Sequence, residues 1–310
     1  MTGCWICLMP VDEAQRYHPR CLMTLLGHRR CPAVTLQASS VAEAIAEQSD
    51  KMSISGVQDK VIVDVDTKGE HIRPADDGRY ILKVPVAAYK HLPENEHLSM
   101  SLARLVGLSV PWAGLVEMPD GTLAYIVRRF DRTSTAPVAK LRQEDFCSLS
   151  GRMPTQKYEA SAEECAALVR MYTADADDSL RRLFLLFLFS FWIGNDDLHL
   201  KNLSMAQSEG GGYTLSMAYD LVCTRLYPQV DKGMALPLNG RKLHHQRADF
   251  HAFATKCGLG GEEADRLVDA LRARRRDAEA MVDRSALPKA FQLHYRRELN
   301  KKDKALARKV

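Results

Sequence analysis

Residues 194–202 read GNDDLHLKN and follow an apolar run from Leu183 to Ile193. Within this stretch, Asp197 and Asn202 stand five positions apart, and Asp220 follows further along the chain. In phosphoryl-transfer sites an Asp orients or deprotonates the attacking hydroxyl, while an Asn and a later Asp bind magnesium. Mg²⁺ prefers such hard oxygen ligands. The stretch therefore indicates a phosphoryl-transfer site, although the same residues also suit an ordinary helix end and loop.

The segment after Asn202 strengthens this interpretation. Residues 203–206 and 213–218 have the pattern of two strands around Gly210-Gly211-Gly212. Such a hairpin would carry Asn202 at one end and Asp220 at the other. We therefore expect both side chains to reach one metal ion.

Length and composition limit the possible classes of protein. The chain has 310 residues, 46% of them hydrophobic and 26% charged, with a net charge of +4. These values predict a globular protein with room for two lobes, and they give no strong signal for direct nucleic-acid binding. The apolar run is shorter than the roughly 20 residues that cross a bilayer, and the N-terminus does not resemble a signal peptide. We expect a cytoplasmic protein without a membrane partner.

Four of the eight cysteines lie near the N-terminus. Cys4, Cys7, His18 and Cys21 have the spacing C-x2-C-x10-H-x2-C, which suits a tetrahedral structural Zn²⁺ site. Cys31 is an alternative to His18 or a bystander, and reduced thiols at a frayed terminus are the competing interpretation. We expect a zinc-binding knob whose metal stabilises a segment that has few other means of folding.

Two further segments have features of a nucleotide site. The turn at residues 53–60 reads SISGVQDK and leads into a strand, so its backbone N–H groups are suited to phosphate oxygens, although an ordinary hydroxyl-rich turn fits the same residues. Lys83 lies in the next apolar strand, where a lysine either extends to solvent or contacts nucleotide phosphates and pairs with a helix Glu. The helix that Pro93 opens supplies Glu96 as the expected partner and Glu94 as an acid at the helix start.

Taken together, these motifs resemble the HipA-type serine/threonine kinase toxins over roughly residues 51–300. The resemblance is carried, in chain order, by Ser53-x-Ser55-Gly56-x-Gln58-x-Lys60, Ile81-Leu82-Lys83, Glu94-Asn95-Glu96, Arg129-Phe130-Asp131-Arg132, Glu144-Asp145, Lys157-Tyr158, residues 194–202 and Tyr219-Asp220. It implies an α+β, bilobal, protein-kinase-like fold with a small β-rich N-lobe and a larger helical C-lobe. We expect the zinc knob at residues 1–34, the N-lobe at 35–132 and the C-lobe at 133–310.

The resemblance also implies a role for each matching residue. Asp197 would be the catalytic base, Asn202 and Asp220 would bind Mg²⁺, and Lys83 would contact the phosphates of ATP. The remaining nucleotide-site residues would be Ser55, Gly56, Val57, Gln58, Asp59 and Lys60 in the phosphate loop, Arg128, Arg129 and Phe130 in the adenine-facing linker, and His199, Leu200, Lys201 and Tyr219 near the metal. Ser53 and Ser55 match the positions at which the family phosphorylates itself, and the added charge there would disfavour binding of ATP phosphates.

Members of this family phosphorylate aminoacyl-tRNA synthetases or other parts of the translation machinery, and a DNA-binding antitoxin restrains them. The chain is shorter than the HipA toxin, which suggests the HipT-like branch, in which a separate small protein replaces an N-terminal subdomain. The cysteine and histidine segment departs from the best-known members.

Two other functions compete with a toxin kinase. Small-molecule phosphotransferases also use an Asp, an Asn and a later Asp, but the loop at residues 53–60 argues against them. The other alternative is a catalytically idle binding module that contacts its partner through the zinc knob and the basic tail (residues 301–309). The presence of Lys83, Asp197, Asn202 and Asp220 together argues against that loss of activity.

Overall fold

The computed structural model describes residues 2–12, 14–36, 59–133, 139–173, 176–208, 210–230 and 233–307. It divides into two compact units. The first comprises Met1–Ser101, Pro111–Phe130 and Ala280–Lys289, and the second comprises Leu102–Val110, Asp131–Glu279 and Ala290–Val310. The predicted Ser53 and Ser55–Gln58 lie outside the described residues.

The first unit is built on a six-stranded sheet with the order β1-β3-β2-β4-β6-β5. Its strands are β1 (Ala33–Val34), β2 (Lys60–Val65), β3 (His71–Pro74), β4 (Tyr80–Lys83), β5 (Ala113–Glu117) and β6 (Leu123–Arg128). Only the β1–β3 pair is parallel among these described strands. Apolar residues of β2, β3 and β4 form a core with Leu22, Leu25 and Leu26 of helix α1 (Pro19–Leu26). Burial of this apolar surface is the main force that holds the first unit together.

Helix α2 (Leu92–Leu105) follows β4 and begins with the expected Pro93 and Glu94. Glu94 accepts a hydrogen bond from His91 at 3.0 Å. Its carboxylate lies in the first turn of the helix, where a negative charge is favourable. Glu96, His97 and Ser99 are nevertheless buried in this helix. Buried polar groups of this kind require partners, so α2 is held by specific contacts as well as by apolar packing.

The second unit is mainly helical. Its helices are α3 (Phe146–Leu149), α4 (Ala162–Tyr172), α5 (Ala176–Ile193), α6 (Arg247–Lys256), α7 (Gly261–Ala273), α8 (Arg275–Arg284) and α9 (Lys289–Ala307). The second half of α8 and the first residue of α9 belong to the first unit. The apolar run of α5 is buried, and the rings of Phe184 and Phe187 pack on Phe253 of α6. The prediction of a core helix is therefore confirmed. In the part of the chain that is described, no helix combines the length and apolarity needed to cross a membrane.

Three short strands complete the second unit as an antiparallel sheet, β7 (Gln143–Asp145), β8 (Ser204–Gln207) and β9 (Tyr213–Leu215). The predicted hairpin is present as β8 and β9, with β9 shorter than expected. Strand β7 pairs with β8. Helices α7 and α8 are separate, with the break at Arg274.

Candidate active site and cysteine–histidine cluster

The loop of residues 194–202 leaves α5 through Gly194, which adopts a left-handed conformation with φ of +73°. A Cβ atom at this position would lie 2.8 Å from Cγ of Arg225. Only glycine combines this backbone conformation with the available space. The helix is closed by the Asn195 N–H, which donates to the Ser190 carbonyl oxygen at 2.8 Å.

The two adjacent aspartates of this loop have different environments. The Asp196 side chain is 3% exposed and forms an ion pair with Arg225, while its backbone N–H donates to Thr224 Oγ1 at 2.9 Å. The Asp197 side chain is 45% exposed. Asp196 is thus a buried, paired charge that fixes the loop, and Asp197 presents its carboxylate to solvent.

Three hydrogen bonds orient Asp197. The Tyr158 hydroxyl donates to Asp197 Oδ1 at 2.9 Å, and the Asp197 backbone N–H donates to Asn195 Oδ1 at 3.1 Å. The Asp197 carbonyl oxygen accepts from Asn202 Nδ2 at 3.0 Å. Because the amide nitrogen of Asn202 is used in this bond, its oxygen is the atom suited to a cation. The geometry thus fixes an accessible carboxylate and a buried amide in one loop.

His199 and Lys201 are held by protein contacts within the same unit. His199 Nε2 lies 4.0 Å from Asp197 Oδ1, and burial lowers the pKa of the imidazole, so the neutral form is favoured. Lys201 Nζ donates to Asp145 Oδ2 at 3.0 Å, and Asp145 also caps α3 through Ser148. Leu200 between them is buried.

The segments that carry Asn202 and Asp220 are hydrogen-bonded to each other. Tyr219 directly precedes Asp220 in the chain, and its hydroxyl donates to the carbonyl oxygen of Lys201 at 3.0 Å. Lys201 in turn directly precedes Asn202. Tyr219 is half-buried, and desolvation raises the pKa of its hydroxyl and keeps it neutral. Asp220 has a φ of +58°, an uncommon backbone conformation that Asp and Asn tolerate better than most residues. The metal-binding role of Asn202 and Asp220 stays a prediction.

In the first unit, Lys83 Nζ donates to Glu96 Oε1 at 2.6 Å, as the sequence predicts. The two side chains are 12% and 2% exposed. The Lys83 ammonium also lies 5.9 Å from the centroid of the Tyr125 ring. The lysine therefore does not extend freely to solvent, which was the alternative interpretation of a lysine in an apolar strand.

The other predicted nucleotide-site residues of this unit lie at strand ends. Lys60 pairs with Lys83 across β2 and β4, and the Asp59 carbonyl oxygen accepts from the Val84 N–H at 3.1 Å. Arg128 ends β6, and the Arg129 N–H donates to the Arg79 carbonyl oxygen at 2.8 Å. Phe130 follows directly. Their contacts with a nucleotide stay predictions.

The N-terminal segment brings together the four expected metal ligands. The donor atoms of Cys4, Cys7, His18 and Cys21 all lie within 4.8 Å of one another. The hydrogen bond with the Cys7 thiol and those from backbone N–H groups lower the pKa of the Cys4 thiol to about 4. Cys31 lies outside the set, with its Sγ 3.6 Å from the Pro32 carbonyl oxygen. Cys31 is therefore not one of the four donors of this cluster.

Several supporting residues were not predicted individually. Tyr158 was noted only as part of a matching motif, and Thr224 and Arg225 carried no local signal. Arg225 lies well beyond Asp196 in the chain, and its pairing depends on tertiary structure that spacing cannot reveal.

Comparison with known proteins places the chain in a family. Residues 52–279 match the family described as "HipA-like C-terminal domain". Two relatives from Sinorhizobium fredii, named "Putative kinase Y4dM" and "Putative kinase Y4mE", are each 32% identical, over 71% and 68% of this chain and 59% and 52% of their own length. A Haemophilus influenzae protein named "Putative kinase" is 30% identical over 63% of this chain and 60% of its own length. The chain thus spans only about half to three-fifths of these relatives.

Two solved structures share the fold. The HipA toxin of Shewanella oneidensis, solved with HipB and its operator DNA, matches with a TM-score of 0.69 and 21% identity, over 87% of this chain and 71% of that one. The Helicobacter pylori proinflammatory kinase CtkA matches with a TM-score of 0.56 and 14% identity, over 83% and 92%. The fold is therefore the mixed α and β fold of these kinases. On the match over residues 52–279, the chain belongs to the HipA-like C-terminal domain family.

Proposed function

We propose that this chain is an ATP-dependent serine/threonine protein kinase that acts in the cytoplasm as the toxin of a toxin–antitoxin system. The observation that carries the proposal is the loop of residues 194–202. It presents the Asp197 carboxylate to solvent and bonds the Asn202 amide to the Asp197 backbone. A base and a metal ligand fixed in one loop are what phosphoryl transfer to a hydroxyl requires.

In this proposal Asp197 accepts the proton of the substrate hydroxyl, and Tyr158 holds the carboxylate in position. Asn202 and Asp220 would hold Mg²⁺, and Lys83, oriented by Glu96, would bind phosphate oxygens. ATP, when bound, supplies the phosphoryl group. Residues 55–60, Arg128–Phe130, His199–Lys201 and Tyr219 are proposed to line the nucleotide, in line with the family resemblance.

The proposal extends to partners and regulation. The HipA structure that shares the fold was solved with HipB and operator DNA, which supports a DNA-binding antitoxin as the partner of this chain. A protein of the translation machinery, such as an aminoacyl-tRNA synthetase, is the proposed substrate. Self-phosphorylation at Ser53 or Ser55 is the proposed regulatory step, and a separate small subdomain-like partner stays a prediction.

The test incubates the protein with labelled ATP and Mg²⁺ in a cell extract and maps the labelled peptides. We expect label on Ser53 or Ser55 and on one extract protein. Asp197→Asn should remove both, because it eliminates the base while preserving the shape of the side chain. Asp178→Asn is the matched control, since Asp178 is 60% exposed and lies at the start of α5.

Retention of full activity in Asp197→Asn would refute the assignment of the base. Label on a small molecule alone would favour a small-molecule phosphotransferase. No label in the presence of bound ATP, from protein confirmed by mass to be unphosphorylated, would favour an idle binding module.

A further inference from the structure

We propose that Cys4, Cys7, His18 and Cys21 bind one Zn²⁺ ion, and that this site braces the two elements that carry Lys83 and Glu96. The metal site itself is independent of the proposed kinase function. Only the role of the braced Lys83–Glu96 pair in nucleotide binding rests on that function.

The distances within the set suit a single tetrahedral ion. With Zn–S bonds of about 2.3 Å and Zn–N bonds of about 2.0 Å, the sulfur and nitrogen ligands of a tetrahedron lie about 3.5 Å apart. His18 Nδ1 lies 3.4 Å from Cys7 Sγ and 3.7 Å from Cys21 Sγ. Three thiolates and one imidazole form a closed ligand set, which is typical of structural zinc.

The surroundings of His18 provide a second, independent observation. Its Nε2 lies 3.0 Å from the Pro10 carbonyl oxygen, which can only accept a hydrogen bond. Nε2 therefore carries the proton, and the lone pair of Nδ1 points toward the sulfur atoms. A ligand histidine whose other nitrogen donates to a carbonyl is a common feature of zinc sites. The His18 backbone N–H, 3.4 Å from Cys4 Sγ, additionally supports a thiolate at Cys4.

One connection runs from the metal ligands to Glu96. Ile6 lies between Cys4 and Cys7, and its carbonyl oxygen is 3.3 Å from Nε2 of His97. His97 directly follows Glu96 in α2, and both residues are about 1% exposed. The position of the Cys4–Cys7 loop thus affects the first half of α2.

A second connection runs to Lys83. Cys21 lies in α1, and one turn further along the same helix the Leu25 carbonyl oxygen accepts a hydrogen bond from the Tyr80 hydroxyl at 2.9 Å. Tyr80 begins β4, the strand that ends in Lys83. Both members of the Lys83–Glu96 ion pair are therefore on elements that are hydrogen-bonded to the cysteine and histidine segment, which comprises residues 4–26 and includes α1.

The same segment is also bonded to the edge of the six-stranded sheet. The Leu115 N–H of β5 donates to the Trp5 carbonyl oxygen at 2.8 Å, and the Tyr17 hydroxyl donates to the Leu115 carbonyl oxygen at 2.9 Å. The segment contains only one helix, of eight residues, among its described residues. A metal ion that joins its two ends would supply the stability that so short a segment lacks.

The first experiment measures metal content. Wild-type protein, purified without chelators, should contain about one zinc per chain, and Cys4→Ser and Cys21→Ser should lose most of it. Cys31→Ser is the matched control and should retain zinc, because this half-buried thiol lies in the same unit but outside the ligand set. Absence of zinc in the wild type after reconstitution, iron in its place, or loss of zinc in Cys31→Ser would overturn the site.

The second experiment tests the brace by amide hydrogen exchange on the folded wild-type chain, before and after zinc is removed with a chelator. We expect exchange in α2 and β4 to become at least about tenfold faster, since local opening sets the exchange rate. Exchange in α4, in the other unit, should not change and serves as the internal reference. This comparison does not depend on whether a cysteine variant folds.

His97→Leu separates metal binding from its effect on α2. This variant should retain about one zinc, yet α2 should exchange faster, because the bond to Ile6 is lost. Unchanged exchange in α2 and β4 after zinc removal would overturn the brace. None of these measurements detects phosphoryl transfer, so failure of this inference and failure of the proposed kinase function are distinguishable.

Discussion

At the scale of single residues, the loop of residues 194–202 shows why two neighbouring aspartates serve different purposes. Asp196 is buried against Arg225, and a buried charge of this kind is retained only with a partner. The Asp197 side chain is 45% exposed, and its orientation depends on neighbouring side chains. The spacing to Asn202 singles out Asp197 as the candidate base, but only the tertiary contacts show that Asp196 is a buried carboxylate paired with Arg225.

Tyr158→Phe tests the positioning of Asp197. The substitution removes the hydroxyl that donates to Asp197 Oδ1 at 2.9 Å and leaves the ring on His199, whose centroid is 5.2 Å away. We expect kcat to fall about tenfold, the equivalent of roughly 1.4 kcal/mol, which is a modest value for a hydrogen bond to a charged group. KM for ATP should change little.

The matched control for this prediction is Tyr172→Phe. Its hydroxyl is 3.4 Å from the Leu149 carbonyl oxygen, at an exposed position of the same unit. Equal losses of kcat in the two variants would indicate a general effect of removing a tyrosine hydroxyl and would contradict the positioning role of Tyr158.

At the scale of elements, the predictable parts are those with strong local signals. The apolar run predicts α5, and the Gly-rich turn predicts the β8–β9 hairpin, because both depend on periodicity and turn residues. The strand β7 could not be predicted, since three residues gain strand structure only by pairing with β8. Similarly, the spacing of the cysteines predicts the ligand set, but the bond from His97 to the segment depends on tertiary packing.

The contact between α9 and α5 leads to a prediction of pH dependence. Lys302 of α9 lies with its ammonium 4.2 Å from the centroid of the Phe191 ring. Burial is the largest influence and lowers the pKa of Lys302 to about 8, although the charge of Asp196 acts in the opposite direction. In the unfolded chain the pKa returns to about 10.4. Between these values the unfolded state binds more protons, so this residue makes the free energy of unfolding rise with pH.

Lys302→Met should remove that rise. The measurement is urea unfolding at several pH values from about 8 to about 10.4, expressed as the stability of the wild type relative to the variant. This difference should increase with pH. Lys301→Met, at the exposed neighbouring position, should give a constant difference. A constant difference for Lys302→Met would show that the ammonium is not desolvated.

At the level of the whole molecule, three arginines of the basic run at residues 272–276 form ion pairs with carboxylates. Arg272 pairs with Asp303, Arg274 with Asp277 and Arg275 with Glu279, all within the second unit. Arginines already paired with carboxylates have less charge to offer to phosphates. The modest net charge of +4 is consistent with this local neutralisation.

The metal-binding role of Asp220 can be tested through the stability of the whole chain. A ligand that binds only the folded state stabilises it, by about 2.7 kcal/mol at a hundred times its Kd. For 310 residues the entropy of unfolding is about 0.65 kcal/mol/K, so Tm should rise by about 4 °C. We expect this rise with a non-hydrolysable ATP analogue and Mg²⁺, and a smaller rise with the analogue and EDTA.

Asp220→Asn is the sharpest variant for this measurement. Asp220 has a φ of +58°, and Asn tolerates this left-handed conformation, whereas Ala would add backbone strain. The variant therefore removes the carboxylate charge without a large change in Tm of the free protein. Its Tm should then respond equally to the analogue with Mg²⁺ and with EDTA, while Asp178→Asn should behave as the wild type. A full Mg²⁺-dependent rise in Asp220→Asn would exclude Asp220 as an essential metal ligand, because the ion would then bind through other oxygens of the protein and the nucleotide.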